Sequence, residues 1–89
     1  MTTVVITHAV GNMDTWLKGG EERKALFSTF CSGHRILRQE GTNRISIACD
    51  NVDLAKMKAA MDSPEIAKGK AAHTVIDPLE VYIEVAGGK

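Results

Sequence analysis

The 89-residue sequence predicts an α+β domain with strands and helices in the order βαββαβ. Three observations predict this fold class. Four segments are rich in β-branched residues or alternate between apolar and polar side chains. Two segments repeat apolar residues at helical spacing, and Gly, Asn and Ser-Pro signals separate the segments. Residues 1–89 are therefore expected to form a single domain.

The first strand is predicted over residues 3–10, a β-rich run that is apolar on nearly both faces. Val4, Ile6, His8 and Val10 share one of these faces. Side chains on alternate residues of a strand point the same way. His8 is therefore expected to point with its apolar neighbours toward the helices.

The first helix is predicted over residues 13–30, with Asn12 or Asp14 capping its start. Its inward stripe is predicted to consist of Met13, Trp16, Leu17, Gly20, Lys24, Phe27 and Phe30. Gly19 and Gly20 each cost about 1 kcal/mol relative to Ala inside a helix. We therefore expect a kink, a break or a close backbone contact at this pair.

A hairpin follows, with strands over residues 34–39 and 44–50 joined by the turn at residues 40–43. Asn51 is expected to cap a second helix, and Ser63 with Pro64 to start a further helical segment that ends near residue 72. One stripe of the second helix consists of Leu54, Met57, Lys58 and Met61. The last strand is predicted over residues 79–85, which alternate, and the end of the chain, Gly87, Gly88 and Lys89, is expected to fray.

This element order is that of a ferredoxin-like sandwich, in which both helices cover one face of a four-stranded antiparallel sheet. The other face is predicted to mix apolar and polar side chains, which suits either a partner sheet or partial solvation. Its residues are Val5, Thr7, Ala9, Ser46, Ala48, Tyr82 and Glu84. The short chain has only one Trp, two Phe and one Tyr for its core, so a second copy is the expected source of further burial.

Charge and composition weigh against several classes of partner. Eleven basic and eleven acidic residues give a net charge of zero, whereas nucleic-acid binding needs a concentrated basic surface. An RNA-binding domain of this fold would also need aromatic residues on its two central strands, and those predicted here have none. No apolar stretch is long enough to span a membrane, and no leader is recognised. Cys31 and Cys49 are isolated, so reduced thiols and a cytoplasmic location are expected.

Several motifs resemble those of the dimeric α+β barrel superfamily over almost the whole chain. They are VVITHAV at residues 4–10, then Asp14, Trp16 and Lys18, then Asp50 with VDLAK at residues 52–56, and MDSPE at residues 61–65. Members include cofactor-independent antibiotic biosynthesis monooxygenases, cyclases, isomerases, dehydratases and stress-responsive proteins. The resemblance implies a homodimer joined through its sheets, with a small-molecule cleft between sheet and helices in each subunit.

The sequence departs from this family pattern at two places. Gly20 stands where similar proteins usually carry a Phe four residues after the Trp. The missing ring would leave room for a ligand, because natural cores rarely leave such voids empty. His73 stands at the end of the second helical region, where an Ala-Gly-Val is usual, and a helix C-terminus favours the charged form of an imidazole.

His8 is the candidate catalytic residue, as a base or polar group in an apolar cleft. It could equally be a core histidine bonded to a carbonyl or water. The candidate ligand contacts are Trp16, Gly20, Met57, Met61 and His73, although Trp16 and the methionines could simply be core and His73 solvated surface. Cys31 and His34 alone are too few to bind a metal ion.

Two functional hypotheses follow. In the first, a homodimer binds an apolar or aromatic, oxygenated compound beside His8, Trp16 and Gly20 and acts as a cofactor-free monooxygenase, cyclase or isomerase. In the second, the protein is a non-enzymatic ligand-binding, stress-related or assembly module. A connected cleft with converging polar groups would favour the first. No binding motif for flavin, haem, nicotinamide or metal is found, so no cofactor is expected.

Overall fold

The computed structural model describes residues 2–87, over which four antiparallel strands form one sheet with four helices beside it. In chain order the elements are β1 (Thr2–Val10), α1 (Met13–Lys18), α2 (Gly20–Phe27), β2 (Gly33–Arg38), β3 (Arg44–Val52), α3 (Leu54–Met61), α4 (Pro64–Ala72) and β4 (Val75–Ile83). The strands lie in the order β2-β3-β1-β4. This arrangement confirms the predicted ferredoxin-like α+β fold. Gly88 and Lys89, where a frayed end is predicted, lie outside the described residues.

The face of the sheet that packs against the helices, here called the inner face, is formed mainly by the two central strands. Every second residue of β1 is buried, as predicted, namely Val4, Ile6, His8 and Val10. The neighbouring residues of β3 on this face are Ile45, Ile47 and Cys49. Apart from His8, these side chains form one core with Trp16, Phe27, Phe30, Val52 and Met57. Full burial of a large apolar side chain contributes about 1.5–3 kcal/mol.

Gly19 divides the predicted first helix into α1 and α2, which confirms the expected break. The buried positions of this region are Trp16, Gly19, Arg23, Phe27 and Phe30, at spacings of three and four residues. The predicted inward positions of Leu17 and Lys24 are therefore wrong, and Leu17 is 54% exposed. The apolar side chain of Leu17 favours an inward position in the sequence, but in the structure Leu17 faces solvent and Arg23 is buried.

The predicted start of α4 is confirmed, whereas the predicted N-cap of α3 is wrong. Pro64 begins α4 after Ser63, as predicted. Asp53, and not Asn51, caps α3 by accepting a hydrogen bond from the Lys56 amide at 3.2 Å. Asn51 lies within β3 because that strand continues past residue 50. No helix among residues 2–87 is long and apolar enough to cross a membrane.

The last strand begins four residues earlier than predicted and ends at Ile83 rather than at residue 85. The pairing of β4 with β1 shifts between Thr7 opposite Glu80 and Ala9 opposite Ile76. Pro78 lies inside this irregular stretch, which is tolerated because β4 is an edge strand and proline cannot donate a ladder hydrogen bond. Proline is unfavourable inside most strands, so the sequence alone does not predict that the residues before Pro78 belong to β4.

Candidate functional site

A cleft of about 260 Å³ lies between the inner face of the sheet and the helices. Its walls are mostly apolar and include Ile6, Leu26, Ile66, Val75 and Leu79. Clefts that bind drug-sized compounds typically enclose about 300–1,000 Å³. The volume therefore suits a compact guest of one or two rings.

His8 places its imidazole in this cleft from the inner face of β1. Its Nδ1 lies 2.9 Å from the carbonyl oxygen of Ala9. A carbonyl oxygen can only accept, so Nδ1 carries the proton and donates it, and Nε2 of the neutral ring is an acceptor. No group among residues 2–87 bonds Nε2, and no fully shielded side-chain nitrogen there lacks a partner. Nε2 is therefore open to the cleft.

The surroundings of His8 keep its ring neutral. Desolvation lowers the pKa of His8 below its ordinary value of 6.5. The positive charges of Arg23, Lys70 and Arg44 lower it further, while the hydrogen bond to Ala9 opposes the shift. At neutral pH the Nε2 lone pair is thus available to accept a proton or a hydrogen bond from a guest.

Arg23 is the buried charged residue of the cleft that the sequence reasoning missed, and Glu22, Glu65 and Lys70 also line the cleft nearer to solvent. It is only 8% exposed, and its guanidinium carbon lies 3.6 Å from the centre of the Trp16 ring. Its Nη2 donates a hydrogen bond of 2.6 Å to the Trp16 carbonyl oxygen. Desolvation lowers the pKa of Arg23, but an arginine stays charged at neutral pH. The available signal was its position four residues before Phe27, on the inward side of the helix.

Trp16 connects the two polar groups. Its ring lies edge-on to the His8 ring, with centroids 5.9 Å apart and planes at 70°. The opposite contact of the indole is the stacked guanidinium of Arg23. Trp16 is buried in the core and also lines the cleft, and its contact with a ligand stays a prediction.

His73 lies at the C-terminal end of α4 and lines the cleft opposite Gly19. A Cβ atom on Gly19 would lie 2.5 Å from Cε1 of His73, so only glycine permits this approach. Nε2 of His73 lies 3.4 Å from Oε2 of Glu22, whose side chain is 80% exposed. The contact between α2 and α4 therefore closes one side of the cleft at the solvent boundary.

The structure brings together four of the six residues that the sequence singled out. His8, Trp16, Met61 and His73 all line the cleft. Met57 is buried in the core, and neither it nor Gly20 is among the lining residues. A Cβ built on Gly20 meets nothing within 4 Å, so there is open space beside Gly20, but Gly20 does not line this cleft. Their roles toward a ligand stay predictions.

Metal-binding side chains do not cluster in the described part of the chain, where no three His, Cys, Asp or Glu residues could hold an ion together. Cys31 and His34, which were considered as metal ligands, instead contact the neighbouring Phe27. Cys31 Sγ donates to the Phe27 carbonyl at 3.2 Å, and the His34 ring lies edge-on to the Phe27 ring at 5.3 Å.

No family model and no curated protein matches the chain. Several solved structures, however, match the chain in fold. A candidate antibiotic biosynthesis monooxygenase from Bordetella bronchiseptica matches with a TM-score of 0.72 at 16% identity, covering 94% of each chain. A mutant of SnoaB, a cofactor-independent oxygenase from Streptomyces nogalater, matches with a TM-score of 0.66 at 19% identity, covering 99% of this chain and 94% of SnoaB.

A third structure, a candidate antibiotic biosynthesis monooxygenase from Deinococcus radiodurans, has a TM-score of 0.64 at 14% identity and covers 100% of this chain and 95% of its own. Each match spans nearly the whole of both chains, so the likeness concerns the complete subunit fold. It agrees with the resemblance that the sequence motifs carry. The chain therefore has the same fold as these candidate antibiotic biosynthesis monooxygenases and as SnoaB.

Proposed function

We propose that this protein binds a compact apolar or aromatic, oxygen-bearing compound in the cleft and transfers a proton to His8 without a cofactor. One observation carries the proposal. The imidazole of His8 is fixed by its Nδ1 hydrogen bond to Ala9, while its Nε2 faces a mostly apolar cleft. A general base needs this combination of a held ring and a free acceptor atom.

Proton removal from a hydroxyl, or from a carbon beside a carbonyl, starts several reactions. Isomerisation and cyclisation can proceed from the resulting enolate, and so can cofactor-free oxygenation. The lowered pKa of His8 keeps the base form present at neutral pH. The likeness in fold to SnoaB, a cofactor-independent oxygenase, supports this reaction class.

Trp16 supports an aromatic guest. Indole rings favour offset or edge-on contacts with other rings, and Trp16 already makes an edge-on contact with the His8 ring. Leu26, Ile66 and Leu79 in the remaining walls offer apolar surface without hydrogen-bonding groups in their side chains. A flat, oxygen-bearing ring system would therefore place its polar edge toward His8.

We also propose that two copies pair through the outer face of the sheet, the face opposite the helices. Leu37, Ile76 and Tyr82 are exposed on this face, and Tyr82 is 57% exposed. Val5 and Ala48 lie between them on the central strands. Large apolar side chains spread over one sheet face are typical of an interface, and identical faces pair readily about a two-fold axis.

The charges of the outer face are already paired within the chain. Arg35 lies 3.4 Å from Asp50, and Arg44 forms an ion pair with Glu80. The face is therefore close to neutral, and a second copy can approach it without like-charge repulsion. The unbridged thiols Cys31 and Cys49 support a location in the reducing cytoplasm.

Hydrogen–deuterium exchange of 2-tetralone tests the proton transfer. This two-ring ketone has acidic hydrogens beside its carbonyl, and NMR in D₂O follows their loss. We expect the wild-type protein to accelerate the exchange above the buffer rate, and His8→Asn to abolish the acceleration. The Asn amide can still donate to the Ala9 carbonyl, so this variant removes the base and keeps the anchor. His34→Asn is the matched control, because His34 lies outside the cleft lining.

The same sample separates the two hypotheses. Native mass spectrometry of protein purified from cells reports retained small molecules and the oligomeric state together. Exchange that depends on His8 supports the hypothesis that the protein is an enzyme. A retained compound together with no exchange above the buffer rate contradicts the proton-transfer proposal and favours the non-enzymatic ligand-binding module.

A further inference from the structure

We infer that the cleft selects a compound that carries an organic oxyanion, a carboxylate or an enolate, and that the guanidinium of Arg23 recognises it. This inference deepens the proposed function and rests on it, because it assumes that the cleft binds a small molecule. The inference adds that the ligand is an anion and that Arg23 binds its charged group.

The first argument is that the charge of Arg23 has no partner in the protein. Among residues 2–87, no carboxylate lies within ion-pair distance of Arg23, whereas Lys70 is paired with Asp77 at 2.7 Å and His73 with Glu22 at 3.4 Å. Arg23 is nevertheless more than nine-tenths buried. A buried charge without an opposite charge is costly, and an anionic ligand would offset that cost.

The second argument concerns the free hydrogen-bond donors. A guanidinium has five N–H donors, and the hydrogen bond recorded for Arg23 is the one from Nη2 to the Trp16 carbonyl. No fully shielded nitrogen in the described residues lacks a partner, so the unbonded nitrogens of Arg23 reach open space. Arg23 lines the cleft, and that is the open space beside it.

The third argument is that the guanidinium is already oriented. One of its faces stacks on the Trp16 ring at 3.6 Å, and its Nη2 is held by the Trp16 carbonyl. The donors of a guanidinium lie in its plane, so stacking leaves the edge free for a ligand. A planar fork of this kind matches the two oxygens of a carboxylate. Little side-chain entropy remains to be lost when an oxyanion binds.

Arg23 also lines the cleft in which charge would develop during proton transfer. When His8 Nε2 takes a proton from a carbon beside a carbonyl, the C–H bonding electrons move onto the carbonyl oxygen and form an enolate. Arg23 and His8 line the same cleft and contact the same indole. A fixed cation beside the developing oxyanion stabilises it without reorganisation. Two acids also line the cleft, Glu22 and Glu65, and both are exposed to solvent. Neither forms an ion pair with Arg23, and Glu22 already contacts His73.

Binding of 2-naphthoate and 2-naphthamide tests the inference. The two probes share a ring system and differ in charge. The single tryptophan gives one indole N–H signal, so NMR titration reports binding beside Trp16 directly. We expect naphthoate to bind at least about tenfold more tightly than naphthamide, because hydrogen bonds to charged groups are the stronger class.

Variants at one position then assign the preference. Arg23→Met keeps an unbranched apolar stem without the charge and should bring the two affinities to within about twofold, as expected when the charged hydrogen bonds are lost. Arg23→Lys keeps the charge without the planar fork and should retain part of the preference. Arg38→Met, an exposed arginine of β2, is the control and should behave as the wild type.

The outcomes separate the inference from the proposed function. Equal affinity of the wild type for both probes, or an undiminished preference in Arg23→Met, overturns the selection of an oxyanion and leaves the cleft as a binding site. No binding of either probe contradicts the binding cleft itself. Should Arg23→Met fail to fold by circular dichroism, the comparison of the two probes on the wild type and on Arg23→Lys still decides.

Discussion

The guanidinium of Arg23 stacks on the ring of Trp16 at 3.6 Å and donates to the carbonyl oxygen of the same residue at 2.6 Å. The two residues lie on either side of the helix break at Gly19, so this double contact fixes the position of α1 relative to α2. It also fixes the Trp16 ring against which the His8 imidazole rests. The polar part of the cleft is therefore built on one buried arginine and one buried tryptophan.

Loss of the Trp16 side chain should destabilise the fold strongly. Trp16→Ala is expected to lower the free energy of unfolding by about 3–5 kcal/mol, because it leaves a large cavity and exposes the Arg23 stem. Urea denaturation measures this. Leu17→Ala is the control, since Leu17 is adjacent to Trp16 but 54% exposed, and should change the value by no more than about 1 kcal/mol. Similar losses in both variants would contradict the inward stripe described here.

The glycine pair should respond to substitution in opposite directions. Gly19→Ala places a methyl group 2.5 Å from the His73 ring, so the ring must move, and the loss of its packing should cost about 1 kcal/mol. Gly20→Ala meets nothing within 4 Å and should stabilise the helix by about 0.5–1 kcal/mol. Thermal unfolding of the two variants compares them. A neutral Gly19→Ala would show that His73 does not pack against this backbone.

Stability should fall on mild acidification. The folded protein lowers the pKa of His8 below 6.5, so the folded state binds this proton more weakly than the unfolded state does. The free energy of unfolding is therefore highest above pH 6.5 and decreases as the pH falls through 6.5 toward the folded pKa. His34, whose pKa desolvation also lowers, contributes in the same direction.

Denaturation of the wild type and His8→Asn between about pH 7 and pH 5 measures this dependence, a window around the ordinary pKa of histidine. We expect His8→Asn to show a smaller decrease, with the part caused by His34 remaining. An identical decrease in both proteins would mean that His8 is not desolvated in the folded state.

The two thiols should differ in reactivity. Burial, together with the neighbouring Cys31 and Asp50, raises the pKa of Cys49 to about 12, so its thiolate is scarce at pH 8. Cys31 is only partly buried. Iodoacetamide at pH 8, followed by peptide mass spectrometry, should modify Cys31 and leave Cys49 unmodified until the protein is unfolded. Equal modification of both in the native protein would contradict the burial of Cys49.

Pairing through the outer face should be sensitive to charge. Sedimentation equilibrium at micromolar concentration should show a wild-type dimer, and Leu37→Lys should shift it toward monomer by placing like charges across the interface. Leu17→Lys is the matched control, because Leu17 and Leu37 are both 54% exposed and Leu17 lies on α1. A monomeric wild type would contradict the proposed dimer.

The sequence was most informative where one periodicity dominated. Alternation in β1 placed His8 on the inner face, and the Ser63-Pro64 signal gave the start of α4. Both depend on local rules that tertiary packing does not override. The motifs at residues 4–10 and 61–65 carried the family resemblance because they combine such local signals.

The remaining features depend on contacts between distant segments. Arg23 was missed because an arginine is normally exposed, and its burial needs the Trp16 ring and carbonyl beside it. Gly19 was recognised as a break, but its close approach to His73 joins residues 54 positions apart in sequence. The start of β4 was obscured by Pro78, which an edge strand tolerates.

The central claim is that His8 presents an unprotonated Nε2 to the cleft, and ¹⁵N NMR of the imidazole tests it most directly. At pH 7 we expect a neutral ring with the proton on Nδ1, bonded to the Ala9 carbonyl, and a titration midpoint below 6.5. Addition of 2-naphthoate should shift the Nε2 resonance. A proton on Nε2, or a charged ring at pH 7, would contradict the account.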